Sequence, residues 1–401
     1  MNQILSVGLI LLAALAAGHV AQRIRLPEVT GYLLIGVLIG PAAFDVITHD
    51  NLEALQLLSE VALGLILFGI GTIFEASTFL QIGRRVAFIT LIEAFAACTL
   101  VVIAMMFAGM PAAVAMLLGV VAMETAPATT LMIVREYDTR GPLTDTLLAL
   151  LAMNNMLVLL TFGVVAAGLT LSTGGFASLY FSVHGLVWSV GGAVALGVLA
   201  GLLLEAWSPR VESGSEAMML AIGTVLLTVG AARALGVSPL IAALTVGGVI
   251  ANVSGHAAGL VEELRRADPP LYAVFFVLAG AELPIALLPQ IGLTGLLYVV
   301  ARSAGKIGGA WWAGQRANMS QLVQRKLGLC LLSSSSLAIG LTLQVRQQFP
   351  HLADQLSAVV LSSVIVFEIV GPILARMALR QAGEVTIVPT GGALPVTQPN
   401  A

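Results

Sequence analysis

About thirteen stretches of roughly 20 apolar residues each run through the chain. Their approximate limits are 4–20, 30–47, 57–74, 86–107, 111–134, 143–168, 183–206, 216–234, 238–254, 270–288, 291–313, 326–347 and 355–379. A hydrocarbon core of about 30 Å needs about 20 residues of helix to cross it. In lipid every backbone polar group must be satisfied within the protein, so continuous runs of this length fold as membrane helices. The expected fold is therefore an all-α polytopic membrane protein of about 13 transmembrane helices. Composition agrees: 10% of the 401 residues are charged and mean hydropathy is +1.00, whereas a soluble domain carries about 25% charged residues. A net charge of −3 leaves no footprint for nucleic acid. The first run lacks a basic leader and an Ala-x-Ala exit, so it reads as a span rather than a signal peptide. The connections are short, leaving no room for a second folded domain, and 381–401 reads as a disordered tail rich in Pro, Thr and Gly.

Lysine and arginine test the span count. Arg233 and Arg346 follow even-numbered spans and Arg302 and Lys306 lie inside the eleventh; every other Lys or Arg follows an odd-numbered span. Positive charge collects on the cytoplasmic side, which puts the N-terminus outside and the C-terminus in the cytoplasm. An offset of about 208 residues lays the second to sixth spans on the ninth to thirteenth, with Phe68 falling on Phe276 and Thr125-Ala126-Pro127 on Ser333-Ser334-Ser335. Halves displaced by seven spans are inverted, giving repeats at about 27–170 and 235–380 and a linker helix at about 183–206.

Two spans are interrupted at equivalent places. In MLLGVVAMETAPATTLMIV, Pro127 removes a backbone donor and disfavours helix at Ala126. In GLCLLSSSSLAIGLTL, consecutive serine hydroxyls compete for the helical backbone. Paired interruptions in inverted halves point to a midplane ion site.

Charges in mid-span are costly and mark ion paths or proton relays. Glu124 stands at the first break, where a carboxylate and freed carbonyls could coordinate a cation in exchange for a proton; a protonated Glu in a packed site is the other reading. Lys306, with Arg302 one turn earlier, is either a proton carrier or half of a structural ion pair, with Glu93 as a possible partner. Glu368 reads as a neutralised partner, a boundary residue or a functional acid. Asn154-Asn155 can ligate a hard cation through amide oxygen or bond another helix. Glu60, Glu75 and Glu282 lie nearer span ends and read either as residues standing behind an ion site's ligands or as interfacial. Cys98 and Cys330 sit in apolar runs and read as small hydrophobes. None of the five histidines forms a metal pair or a nucleophile constellation, and no phosphate loop is present, so the sequence implies neither an enzyme nor a cofactor.

LPEVTGYLLIGVLIGP, SEVALGLILFGIGTIFE and FFVLAGAELPIALL resemble signature segments of the cation:proton antiporter superfamily, on the branch of bacterial sodium/proton and potassium-efflux antiporters. The resemblance runs from about residue 4 to 380. It implies thirteen spans, a homodimer in the bacterial inner membrane, crossing broken helices, elevator-type movement, and a basic residue in the eleventh span, matched by Lys306 and Arg302. That family's sixth span usually carries a pair ending in Asp, where this chain has Asn154-Asn155. The combined expectation is exchange of sodium or potassium for protons at Glu124, Thr125, Asn154, Asn155 and Lys306. Pro127, Ser333, Ser334, Ser335, Arg302, Glu93 and Glu368 are expected to support them. The alternatives are an organic-anion transporter on the same fold and a non-transporting sensor or assembly protein.

Overall fold

The computed structural model describes residues 3–72, 76–211, 213–253, 257–283, 285, 292–334 and 336–386. Among these the structure is wholly helical: α1 (Gln3–Arg23), α2 (Glu28–Ile39), α3 (His49–Gly71), α4 (Ala76–Phe107), α5 (Ala112–Ala122), α6 (Pro127–Glu136), α7 (Pro142–Trp207), α8 (Gly214–Leu235), α9 (Pro239–Val253), α10 (Ala257–Ala281), α11 (Gly292–Arg316), α12 (Gln321–Cys330), α13 (Ser336–Gln348) and α14 (Pro350–Gln381), with one 3₁₀ turn at Ser208–Arg210. Ser335 and Glu75 lie outside the described residues.

Among the described residues, eight segments are long and apolar enough to cross a membrane: Gln3–Arg23, Ala54–Gly71, Gly83–Phe107, Ala112–Glu136, Pro142–Leu169, Val187–Arg210, Gly214–Leu235 and Pro350–Gln381. The chain is a multi-pass membrane protein. The other expected spans, at 30–47, 238–254, 270–288, 291–313 and 326–347, fall on helices that are short, charged or interrupted. α2 and α9 have 12 and 15 residues, α11 buries Arg302 and Lys306, and the last is broken between α12 and α13. One boundary departs from expectation: helix is continuous over the 66 residues of α7. The stretches at 143–168 and 183–206 are thus joined by helical residues, although Ser172-Thr173-Gly174-Gly175 reads locally as a break.

Two packed groups organise the chain. In one, which we term the panel, α1, α2, α3, α8, α9 and α10 contact one another; in the other, the crossing bundle, α4, α5, α11, α12, α13 and α14 do so, and α7 touches both. Glycine sets the closest contacts of the panel. A Cβ on Gly36 of α2 would lie 2.1 Å from the Val277 carbonyl oxygen of α10, and one on Gly247 of α9 would lie 2.1 Å from that of Phe68 on α3. Only a residue without a side chain permits backbones to pack this closely, the device that brings membrane helices together where lipid offers no hydrophobic drive.

The segment expected to be a free tail begins as part of the fold. The Glu384 carboxylate accepts from the backbone N–H of Leu143 (2.7 Å) and Thr144 (2.8 Å) and from the Thr144 hydroxyl (2.7 Å). It therefore caps the start of α7, where the first amides have no partner within the helix.

Candidate ion-exchange site

Pro127 begins α6 because a helix tolerates proline at its first position, where no donor is required. Residues 123–126 between α5 and α6 are non-helical, as are Leu331–Ser334 after α12. The two interruptions touch: the Ala126 N–H donates to the Ser333 carbonyl at 3.1 Å, and the Thr125 hydroxyl donates to that of Leu331 at 3.2 Å. Each break frees carbonyls that, buried without a donor, cost about 1–3 kcal/mol apiece.

α11 supplies the missing donors. Arg302 donates through Nε to the Ala122 carbonyl (3.3 Å), through Nη1 to Leu332 (2.8 Å), and through Nη2 to Glu124 (2.8 Å) and Ser333 (3.4 Å). One planar fork thus holds both breaks, and it lies 4.1 Å over the Phe367 ring of α14. Lys306 Nζ donates to the Met123 carbonyl (2.5 Å) and the Thr125 hydroxyl (2.8 Å), and lies 3.1 Å from Glu93 Oε2. Both cations sit at the carboxyl ends of α5 and α12, where the helix dipoles are negative. Asn154 Nδ2 donates to Glu93 Oε1 (3.1 Å) and the Met123 carbonyl (3.0 Å). The Ser334 hydroxyl donates to Glu124 Oε2 at 3.1 Å, and Arg302 Nη2 stands 4.0 Å from the same oxygen. Glu93, Glu124, Thr125, Asn154, Arg302, Lys306 and Ser333 are at most 1% exposed.

The expected residues therefore divide. Glu124, Thr125, Asn154, Lys306, Arg302, Glu93, Ser333 and Ser334 form one buried network. Asn155 and Glu368 face elsewhere: with Pro127, Thr129 and Glu282 they line a cavity of about 50 Å³ beside the crossing. Neighbouring residues of an α-helix point about 100° apart, so Asn154 reaches the network while Asn155 reaches the cavity. The cavity's opposite wall is apolar, built from Leu63, Leu67, Leu240, Phe275 and Phe276 of the panel. Glu282 was expected no nearer than behind the site's ligands, yet it lines the cavity itself. It directly follows the helix α10, and its local sequence carries no sign of the cavity. Among the described residues no group of three or more His, Cys, Asp or Glu is placed to hold a resident metal.

Two interrupted helices crossing inside a multi-pass bundle, their ends clamped by buried charge beside a small, largely apolar cavity that carries Asn155, Glu282 and Glu368, define an ion-coupled secondary transporter. The family model for the transmembrane sodium/hydrogen exchanger matches residues 9–380. The chain belongs to the sodium/hydrogen exchanger family and is a cation:proton antiporter. It is 24% identical over 347 residues to the ammonium/H⁺ antiporter subunit AmhT of Alkalihalophilus pseudofirmus, covering 84% of this chain and 85% of that protein. A shorter match, 32% identical over 85 residues, covers 21% of this chain and 19% of the iron transporter MagA of Paramagnetospirillum magneticum. The fold is that of the sodium proton antiporter MjNhaP1 of Methanocaldococcus jannaschii. Its structure at pH 8 has a TM-score of 0.72 at 18% identity, covering 96% of this chain and 98% of that one. A second MjNhaP1 structure, from electron microscopy, gives 0.74.

Proposed function

We propose that the chain exchanges a small monovalent cation (sodium, potassium or ammonium) for protons across the bacterial inner membrane, as a homodimer with its N-terminus outside and C-terminus in the cytoplasm. The observation that carries this reading is the cavity at the crossing. Its volume of about 50 Å³ has room for only a few water-sized particles at about 10–15 Å³ each. Sites for organic ligands measure about 300–1,000 Å³, so the cavity suits a cation and its water better than an organic anion. Ammonium joins the candidates because the relative from A. pseudofirmus is an ammonium/H⁺ antiporter subunit.

The network and the cavity have separate tasks. Arg302 stays charged and keeps the crossing in one shape, while Lys306, Glu93 and Glu124 are the groups there able to carry a proton. The cavity lies between the crossing bundle and the panel, so movement of one past the other changes which membrane face it meets. Inverted repeats support that movement. Under the offset read from the sequence, α2 falls on α9 and α3 on α10, so the glycine contact between α2 and α10 has its counterpart between α9 and α3.

Everted membrane vesicles loaded with a pH-sensitive dye test the proposal. Addition of sodium, potassium or ammonium is expected to collapse a respiration-generated pH gradient, with choline inert. Absence of proton flux with every cation would overturn it.

A further inference from the structure

The buried charges of the crossing balance among themselves. Arg302 and Lys306 bring two positive charges, and Glu93 and Glu124 two negative ones, each within 4.0 Å of an opposite partner. A cation entering this network would leave it with an uncompensated positive charge, which costs several kcal/mol in a low-dielectric interior. A bound cation therefore needs a carboxylate outside that balance. Two line the cavity beside the crossing, Glu282 and Glu368. Glu282 is exposed. Glu368 is 8% exposed and its Oε2 has no hydrogen-bond partner; the buried Oδ1 of Asn155, lining the same cavity, has none either. Buried oxygens without donors are rare in folded proteins. The two residues that carry these oxygens line one small cavity, and carboxylate and amide oxygens are the ligands a hard cation prefers.

We infer that Glu368 is the carboxylate that takes the transported cation and the proton in turn, with the Asn155 amide oxygen completing the cation's ligand shell. This rests on the reading of the chain as an exchanger of small cations. The step balances: the cation binds the carboxylate as the acid's O–H bond breaks, and that proton leaves through the cavity. One positive charge thus replaces another, and the neighbouring charges of Arg302, Glu124 and Glu282 need not change. The carboxylate that the related family places in the sixth span is here supplied from α14, across the cavity from the amide that stands in its place.

Purified wild type, Glu368→Gln, Glu368→Asp and Asn155→Ala are compared in weakly buffered detergent with a pH-sensitive dye, titrating sodium, potassium, ammonium and choline chlorides. Wild type is expected to release protons on addition of a transported cation and none with choline. Glu368→Gln should release none, Glu368→Asp should retain release, and Asn155→Ala should need about tenfold more cation, the effect of a loss near 1.4 kcal/mol. Wild-type release from Glu368→Gln overturns the inference. If that variant does not fold, an unshifted titration of Asn155→Ala overturns it instead. A wild type that releases no protons with any cation removes the exchange reading itself, an outcome distinct from either variant result.

Discussion

Arg302→Lys keeps a positive charge in α11 but replaces a fork with a point. The native guanidinium holds two carbonyls on each break: Ala122 and Glu124 on the first, Leu332 and Ser333 on the second. A single ammonium cannot reach both breaks as the planar fork does. Two buried carbonyls therefore lose their donors, at about 1–3 kcal/mol each, or roughly 2–6 kcal/mol together. Against the 5–15 kcal/mol typical of a folded protein this is a large fraction. For domains of 150–250 residues 1 kcal/mol shifts Tm by about 2–4 °C, and by less in a longer chain, so a fall of roughly 3–10 °C is expected. The assay is thermal unfolding of the detergent-purified protein, followed by size-exclusion chromatography of heated samples, with dye flux measured in parallel. Because the site is buried, the shift should persist in high salt. A variant that melts within about 1 °C of wild type and transports normally would refute the view that this guanidinium fastens the two breaks.

Glu93→Gln leaves the Lys306 charge buried without its partner, and breaking such a pair costs about 3–5 kcal/mol. The double variant Glu93→Gln/Lys306→Met should recover part of that stability in the same melting assay while remaining transport-dead. Gly371→Val should abolish flux and lower expression, because even a Cβ there would lie 2.5 Å from Ser333 Oγ and 2.6 Å from its Cα; surface yield and dye flux read both effects. Glu384→Ala removes the cap on α7 and should cost about 0.5–2 kcal/mol, seen as a modest Tm loss with transport retained.

Much of the crossing was legible in the chain because its cause is local. Pro127 removes a backbone donor and disfavours helix at the residue before it, and a run of serines weakens the helix that contains it, so both breaks announce themselves. Helical geometry points Asn154 and Asn155 about 100° apart, but both were expected at one site, and packing decides that Asn154 meets the network while Asn155 meets the cavity. Where the pieces meet is another matter. That Glu368 and Asn155 line one cavity depends on how α14 and α7 each pack among the other helices, and no spacing encodes it. Glu124 similarly read as the exchanging acid from its place at the break, yet its carboxylate is met by Ser334 of the other break and Arg302 of α11. Glu384 escaped notice because its neighbours are those of a tail, and its burial arises from amides at the opposite end of the fold.

The Arg302 fork has a consequence for how acidity is sensed. A guanidinium does not lose its proton at any pH a cell encounters, so the rivet through the two half-helix pairs holds in acid and alkali alike. Swings in external acidity then act on the carboxylates and on Lys306 while the frame that aims them stays put. On the proposed mechanism, the cation's place beside the crossing is emptied and refilled without being rebuilt on each turnover.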